Sequence, residues 1–157
     1  MNKKKSWAEK LKEKPKNLPK IVVIEPGDKM AKTWGSGKML IATPMMVKSI
    51  VDKIPKGELL SVNDVREKLV KSYKEKADTT CPMTTGIFLR IVAEAAEEDL
   101  RVRGKKKISP YWRVLKAGGK LNPKYPGGVV MQAERLKSEG HKIKNNRKGE
   151  PDKVSGF

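Results

Sequence analysis

The residues best suited to hold or alter a ligand stand in two short runs, Pro110-Tyr111-Trp112-Arg113-Val114 and Tyr125-Pro126-Gly127-Gly128. Their aromatic rings can either fill a cavity or offer stacking surfaces to a flat ligand. A nucleophile is harder to find. A phenol titrates near pH 10 and is a poor group acceptor, whereas a thiolate is a soft nucleophile. Cys81 is the single cysteine and stands about thirty residues ahead of Tyr111, just before a predicted helix, where we read it as a small buried residue capping that helix. One cysteine excludes an internal disulfide framework and a cysteine-based zinc site, and the lone His141 offers little for metal or proton-transfer chemistry. Neither metal nor cofactor is expected.

The elements that must position these runs follow from periodicity and punctuation. Thr43-Pro44 is an N-cap with proline at the first helical position, followed by Val47, Ile50, Val51 and Ile54 at helical spacing and a stop at Pro55-Lys56-Gly57. Ser61 and Asp64 form a capping box for a second helix that buries Val62, Val65, Leu69 and Tyr73. A third helix runs from Pro82 to about Asp99 and is expected to bury Ile87, Ile91, Val92 and Ala95. Arg101 to Lys107 then reads as an exposed loop. Trp112 to Lys116 alternates like a strand and turns at Ala117-Gly118-Gly119 into a hairpin with Lys120-Leu121, and Val129 to Glu139 forms a last helix closed by Gly140. Helices joined by a turn and followed by a hairpin predict an α+β winged helix-turn-helix domain over residues 41–140. Residues 1–40 read as a basic N-terminal arm, mobile and proline-broken over 1–20, and 141–157 as a disordered basic tail.

Charge narrows the partner. Lys and Arg total 36 against 18 Asp and Glu, a formal net charge of +18 in 157 residues, so a polyanion is the first expectation. No apolar segment follows the Met-Asn-Lys-Lys-Lys opening, and no broad amphipathic face or lipidation signal is evident, which argues against export and a membrane surface. A cytoplasmic monomer is expected.

Several spacings together resemble the C-terminal DNA-binding domain of the O-alkylguanine-DNA alkyltransferases, including the alkyltransferase-like proteins. They are Thr43-Pro44, the run Ile54 to Val65, Gly86 in the third helix, Pro110 to Val114, Tyr125-Pro126-Gly127-Gly128, and Glu139-Gly140. The similarity spans residues 43–140. The Pro110 to Val114 run stands where the family has its Pro-Cys-His-Arg-Val active-site motif, so Tyr111 replaces the acceptor cysteine and Trp112 the activating histidine. Glu139 matches the glutamate that orients that histidine; with no histidine here, we read it as a helix-end carboxylate facing water. The family's base-flipping arginine aligns with Met83, which can wedge into a base stack or pack in a core, and its tyrosine beside the extruded nucleotide aligns with Val62.

The resemblance implies a DNA-binding protein without methyltransferase activity that recognises alkylated or extruded guanine and holds it for other repair proteins. Its implied lesion pocket is Tyr111, Trp112, Tyr125, Gly127, Gly128 and Met83. Its implied DNA contacts are Thr84, Thr85, Gly86, Arg113 and Lys120, together with the loop cations Arg101, Arg103, Lys105, Lys106 and Lys107 beside the groove. The acidic run Glu94, Glu97, Glu98 and Asp99 is expected to point away from a polyanion. Two alternatives stay open: a general DNA or RNA binder whose pocket is closed by its own aromatic residues, and an active DNA alkyltransferase using Cys81.

Overall fold

The computed structural model describes residues 4–13 and 17–157, so the parts of the predicted arm at 1–3 and 14–16 lie outside the described residues. The first helix, α1 (Trp7–Lys12), starts at Ser6, whose hydroxyl accepts from the Glu9 N–H. It is docked on the body of the protein, contrary to the mobile arm expected for this segment. The Trp7 and Ala8 amides donate to the Glu98 carboxylate at 3.0 and 3.3 Å, and Leu11 is buried. A carboxylate at a helix N-terminus satisfies orphan N–H donors and meets the positive end of the helix dipole. Burial raises the Glu98 pKa, but the two amides and Arg103 outweigh it and hold the carboxyl below its ordinary value.

The rest of the predicted arm also folds. Strand β1 (Lys20–Ile24) pairs antiparallel with β2 (Gly37–Ile41) across a loop that carries α2 (Lys29–Trp34), and β2 pairs in parallel with β4 (Thr79–Thr80). Two runs rich in Ile, Val and Leu favour strands here despite the flanking lysines. Cys81 packs with Ile24 and Met39 in a small cluster behind this sheet.

The helical body follows the predicted caps. In α3 (Pro44–Asp52) the Thr43 hydroxyl accepts from the Met46 N–H, with proline in the first turn. In α4 (Val62–Ser72), preceded by β3 (Leu60–Ser61), the full capping box of Ser61 and Asp64 forms. Helix α5 (Pro82–Arg103) is longer than expected: its 22 residues run through Arg101 and Arg103 and end at Gly104, which is left-handed. Its buried apolar stripe is Phe88, Leu89, Val92, Ala93, Ala95 and Ala96, with Thr85 beside it; Val92 and Ala95 are buried as expected, while Ile87 is exposed and Ile91 only half-buried. Apolar residues on two sides of the helix hid the true phase.

The predicted wing over 112–121 does not form. Tyr111–Arg113 is a 3-10 turn, and β5 (Val114–Leu115) pairs in parallel with β3. Val114 and Leu115 are fully buried and join the core there. A second 3-10 turn, Ala117–Gly119, leads toward α6 (Gly128–Ser138). The tail expected to be disordered closes the fold as a hairpin of β6 (Ile143–Asn145) and β7 (Pro151–Val154), because Val154 and Ile143 pack into the core and Asn146 to Gly149 turn the chain. Among the described residues no helix is long and apolar enough to cross a membrane.

Candidate nucleic-acid interface

The two motif runs come together as expected, but as a closed knot. Tyr111 is fully buried, and its ring meets Trp112 at 5.3 Å and Tyr125 at 5.1 Å between centroids, both edge to face. Contact of that kind leaves no slot for a flat ligand between the rings. The Tyr111 hydroxyl donates to Glu97 at 2.7 Å, and the same carboxylate oxygen takes Arg135 at 2.5 Å. Burial, followed by the Glu97 contact, pushes the Tyr111 phenol far up, and burial does the same to Tyr125. Neither phenol can supply a nucleophilic oxyanion near neutral pH.

A second carboxylate locks the other side. Trp112 Nε1 and Arg113 Nε donate to Glu139 at 3.1 and 2.9 Å, the Arg113 Nη2 group pairs with it, and Arg113 Nη1 reaches the Ile54 carbonyl at 2.6 Å. The side chains of Arg113 and Glu139 are 12% and 7% exposed, so neither the water-facing Glu139 nor the DNA-contacting Arg113 of the sequence reading is found. The two make a structural pair. Burial raises the Glu139 pKa, yet Arg113 and then Trp112 outweigh it and hold the carboxyl below its ordinary value. Arg135 lies over the Trp112 ring at 4.4 Å. Buried Gln132 donates to the Trp112 and Val114 carbonyls and accepts from the Asn122 N–H, and the Tyr125 hydroxyl donates to the Val114 carbonyl. Gly127 and Gly128 serve the backbone: both have positive φ at the start of α6, and a Cβ on Gly127 would strike Met131 at 2.6 Å.

The open surface lies elsewhere. A groove of about 770 Å³ runs along the N-terminal half of α5, bounded by α1, the start of α4 and the 116–124 segment. Its floor is apolar, with Val62, Met83 and Ile87, and its rim carries Lys10, Arg90, Lys116 and Lys124. Among the described residues no Asp or Glu lines it. Met83 and Ile87 are 61% and 51% exposed, which is unusual for two apolar residues one turn apart. Of the expected site residues only Met83 and Gly86 line this groove, joined by Val62. Thr85 turns inward, 2% exposed, and its hydroxyl donates to the Cys81 carbonyl at 2.7 Å; the Thr84 hydroxyl is bound to the same carbonyl.

The cations of 101–107 do not flank the groove. They sit at the C-terminal end of α5, about 30 Å from Met83 along the helix axis at 1.5 Å per residue. Two are also neutralised: Arg103 binds Glu98 and Asp99 at 3.1 Å each, and Lys105 lies 3.6 Å from Asp99. Arg101, Lys106 and Lys107 are exposed. The acidic run is spent on these pairs, on α1 and on Tyr111, with Glu94 only half-buried.

Sequence reasoning missed Trp7, Lys10, Ile87, Arg90, Lys116 and Lys124. One signal was present, since Met83, Gly86, Ile87 and Arg90 recur at helical spacing on the side opposite Thr85, Phe88, Leu89 and Val92. Trp7 and Lys10 carried no signal, because the docking of α1 depends on Glu98, about ninety residues away.

Among solved structures the chain is similar to the crystal structure of S. pombe Atl1 in complex with damaged DNA containing O6-carboxymethylguanine, at 19% identity, covering 71% of this chain and 87% of that chain with a TM-score of 0.48. No family model matches the chain, and no curated protein matches it.

Proposed function

We propose that this protein binds duplex DNA as an alkyltransferase-like protein without methyl-transfer chemistry. The observation that carries this reading is the α5 groove: apolar along its floor, cationic at its rim, and, among the described residues, free of acidic lining. Phosphates would meet Lys10, Arg90, Lys116 and Lys124, while Met83 and Ile87 would lie against sugar or base edges. Helices α4 and α5 would act as the helix-turn-helix pair, with the N-terminal half of α5 toward the duplex. The motif resemblance over 43–140 supports the family reading, and Tyr111 in place of the acceptor cysteine supports the absence of transfer. An extruded guanine would have to enter the α5 groove, because the Tyr111 and Tyr125 rings are in contact.

That contact favours a second reading, in which the protein binds DNA without regard to lesions. Fluorescence anisotropy with paired duplexes, plain and carrying one O6-alkylguanine, separates the two across a salt series. The four groove cations alone contribute about −4 to the slope of log K against log salt. Tighter binding of the alkylated duplex supports lesion recognition, equal binding supports the general binder, and a slope near zero removes DNA as the partner. The intact mass should be unchanged after incubation with the alkylated duplex; an added alkyl group on Cys81 would contradict the non-enzymatic reading.

A further inference from the structure

The C-terminal hairpin carries a row of lysines that the α5 groove does not account for. Lys144 and Lys153 are direct partners in the β6–β7 ladder, and Lys153 is in turn bridged antiparallel to Lys120. Directly opposed residues of antiparallel strands project to the same face about 5 Å apart. Their neighbours Ile143, Val154 and Leu121 turn the other way into the core, so the three lysines share the outer face. Like charges set directly opposite one another are destabilising, and none of the three forms an ion pair among the described residues. The row also leads somewhere. The Lys116 N–H donates to the Lys120 carbonyl at 2.8 Å, and Lys116 stands on the groove rim. Lys144, Lys153 and Lys120 therefore form a row on the outer face of the hairpin, and the turn that joins Lys120 to Lys116 brings the chain from that row to the groove rim.

We infer that this lysine row is a second contact for the phosphate backbone of duplex DNA, continuing the path of a strand that leaves the α5 groove. The inference rests on the DNA-binding reading and extends its footprint to a segment that contributes no base-facing groups. Unpaired lysines in register bind a polyanion without reading sequence, since an ammonium is a point charge. The row should therefore add affinity and salt dependence without lesion preference.

The test is salt-titrated anisotropy on a plain and a singly O6-methylguanine-bearing duplex. Wild type is compared with Lys120→Gln/Lys144→Gln/Lys153→Gln and with a charge-matched control, Lys71→Gln/Lys74→Gln/Lys76→Gln, in and after the end of α4. The hairpin variant should lose about 2 to 3 units of salt slope, roughly one per lost contact, and bind both duplexes about tenfold or more weakly with their ratio intact. Its melting temperature should equal or exceed that of wild type, because opposed charges are removed. A hairpin variant that loses no more slope than the control overturns the inference while leaving the groove reading intact. If wild type itself shows no salt-dependent binding, both readings fall. A melting temperature that falls together with affinity would make the lysines structural and would also overturn it.

Discussion

The aromatic knot and the α5 groove are built from similar residue types and do opposite things. In the knot every charge has a partner: Glu97 holds Tyr111 and Arg135, and Glu139 holds Trp112 and Arg113. In the groove Lys10, Arg90, Lys116 and Lys124 line a cavity with no acidic residue among its described lining. The difference lies in the carboxylates: where Glu97 and Glu139 meet the aromatic residues and arginines, the cluster closes into core, and where the described lining carries no carboxylate the cations stand at an open rim.

The largest effect should come from opening the knot. Tyr111→Ala removes a fully buried ring and leaves Glu97 with Arg135 alone, which should cost about 3–5 kcal/mol in urea unfolding. The affinity of the folded fraction for plain duplex should hardly change. A stable Tyr111→Ala protein with weakened DNA binding would mean that the ring belongs to the interface.

Glu139→Gln should cost about 3 kcal/mol, because it leaves the mostly buried Arg113 without its counter-charge. The same carboxylate sets an acid limit. Its pKa in the folded state is below its ordinary value, so its contribution is present in full above the unfolded carboxylate value, about 4.3, and is lost as pH falls through the lower folded value. Glu98 acts in the same direction. Urea midpoints measured from pH 6 down to pH 3 should therefore fall, and fall less steeply in Glu139→Gln. Parallel curves for the two proteins would refute the assignment.

The groove should answer the other way. Arg90→Ala/Lys116→Ala/Lys124→Ala should weaken DNA binding by about 2 kcal/mol at moderate salt, with no loss of melting temperature. The smallest effect belongs to the far end of α5. Arg103→Ala/Lys105→Ala should change affinity by less than about threefold, since Glu98 and Asp99 already hold both cations. A larger loss there than in the groove variant would reverse the comparison.

Local signals carried much of the fold into the sequence. The Thr43-Pro44 start, the Ser61–Asp64 capping box and the Gly140 end of α6 rest on contacts within a few residues, and each appears as expected, whereas α5 runs past its expected end near Asp99 to Gly104. Pairings between distant segments were not legible. Nothing local tells β5 to pair with β3 instead of turning back on itself, or α1 to dock on Glu98. The site suffered for the same reason. Tyr111, Trp112 and Tyr125 were found as a cluster, but whether such a cluster is open or shut depends on Glu97, Arg135 and Glu139 arriving from α5, from α6 and from just beyond its end. The lysine-rich tail looked disordered because its composition hid Ile143 and Val154, the two residues that pin the hairpin.

The central claim, that DNA lies along the N-terminal half of α5 and not at its C-terminal loop, is tested most directly by lysine-modification footprinting of the unmutated protein. Reactivity of each lysine is read by mass spectrometry with and without a saturating duplex. The account predicts protection of Lys10, Lys116 and Lys124, with Lys106 and Lys107 as reactive as in the free protein. Protection of Lys106 and Lys107 with the groove lysines unchanged would contradict it.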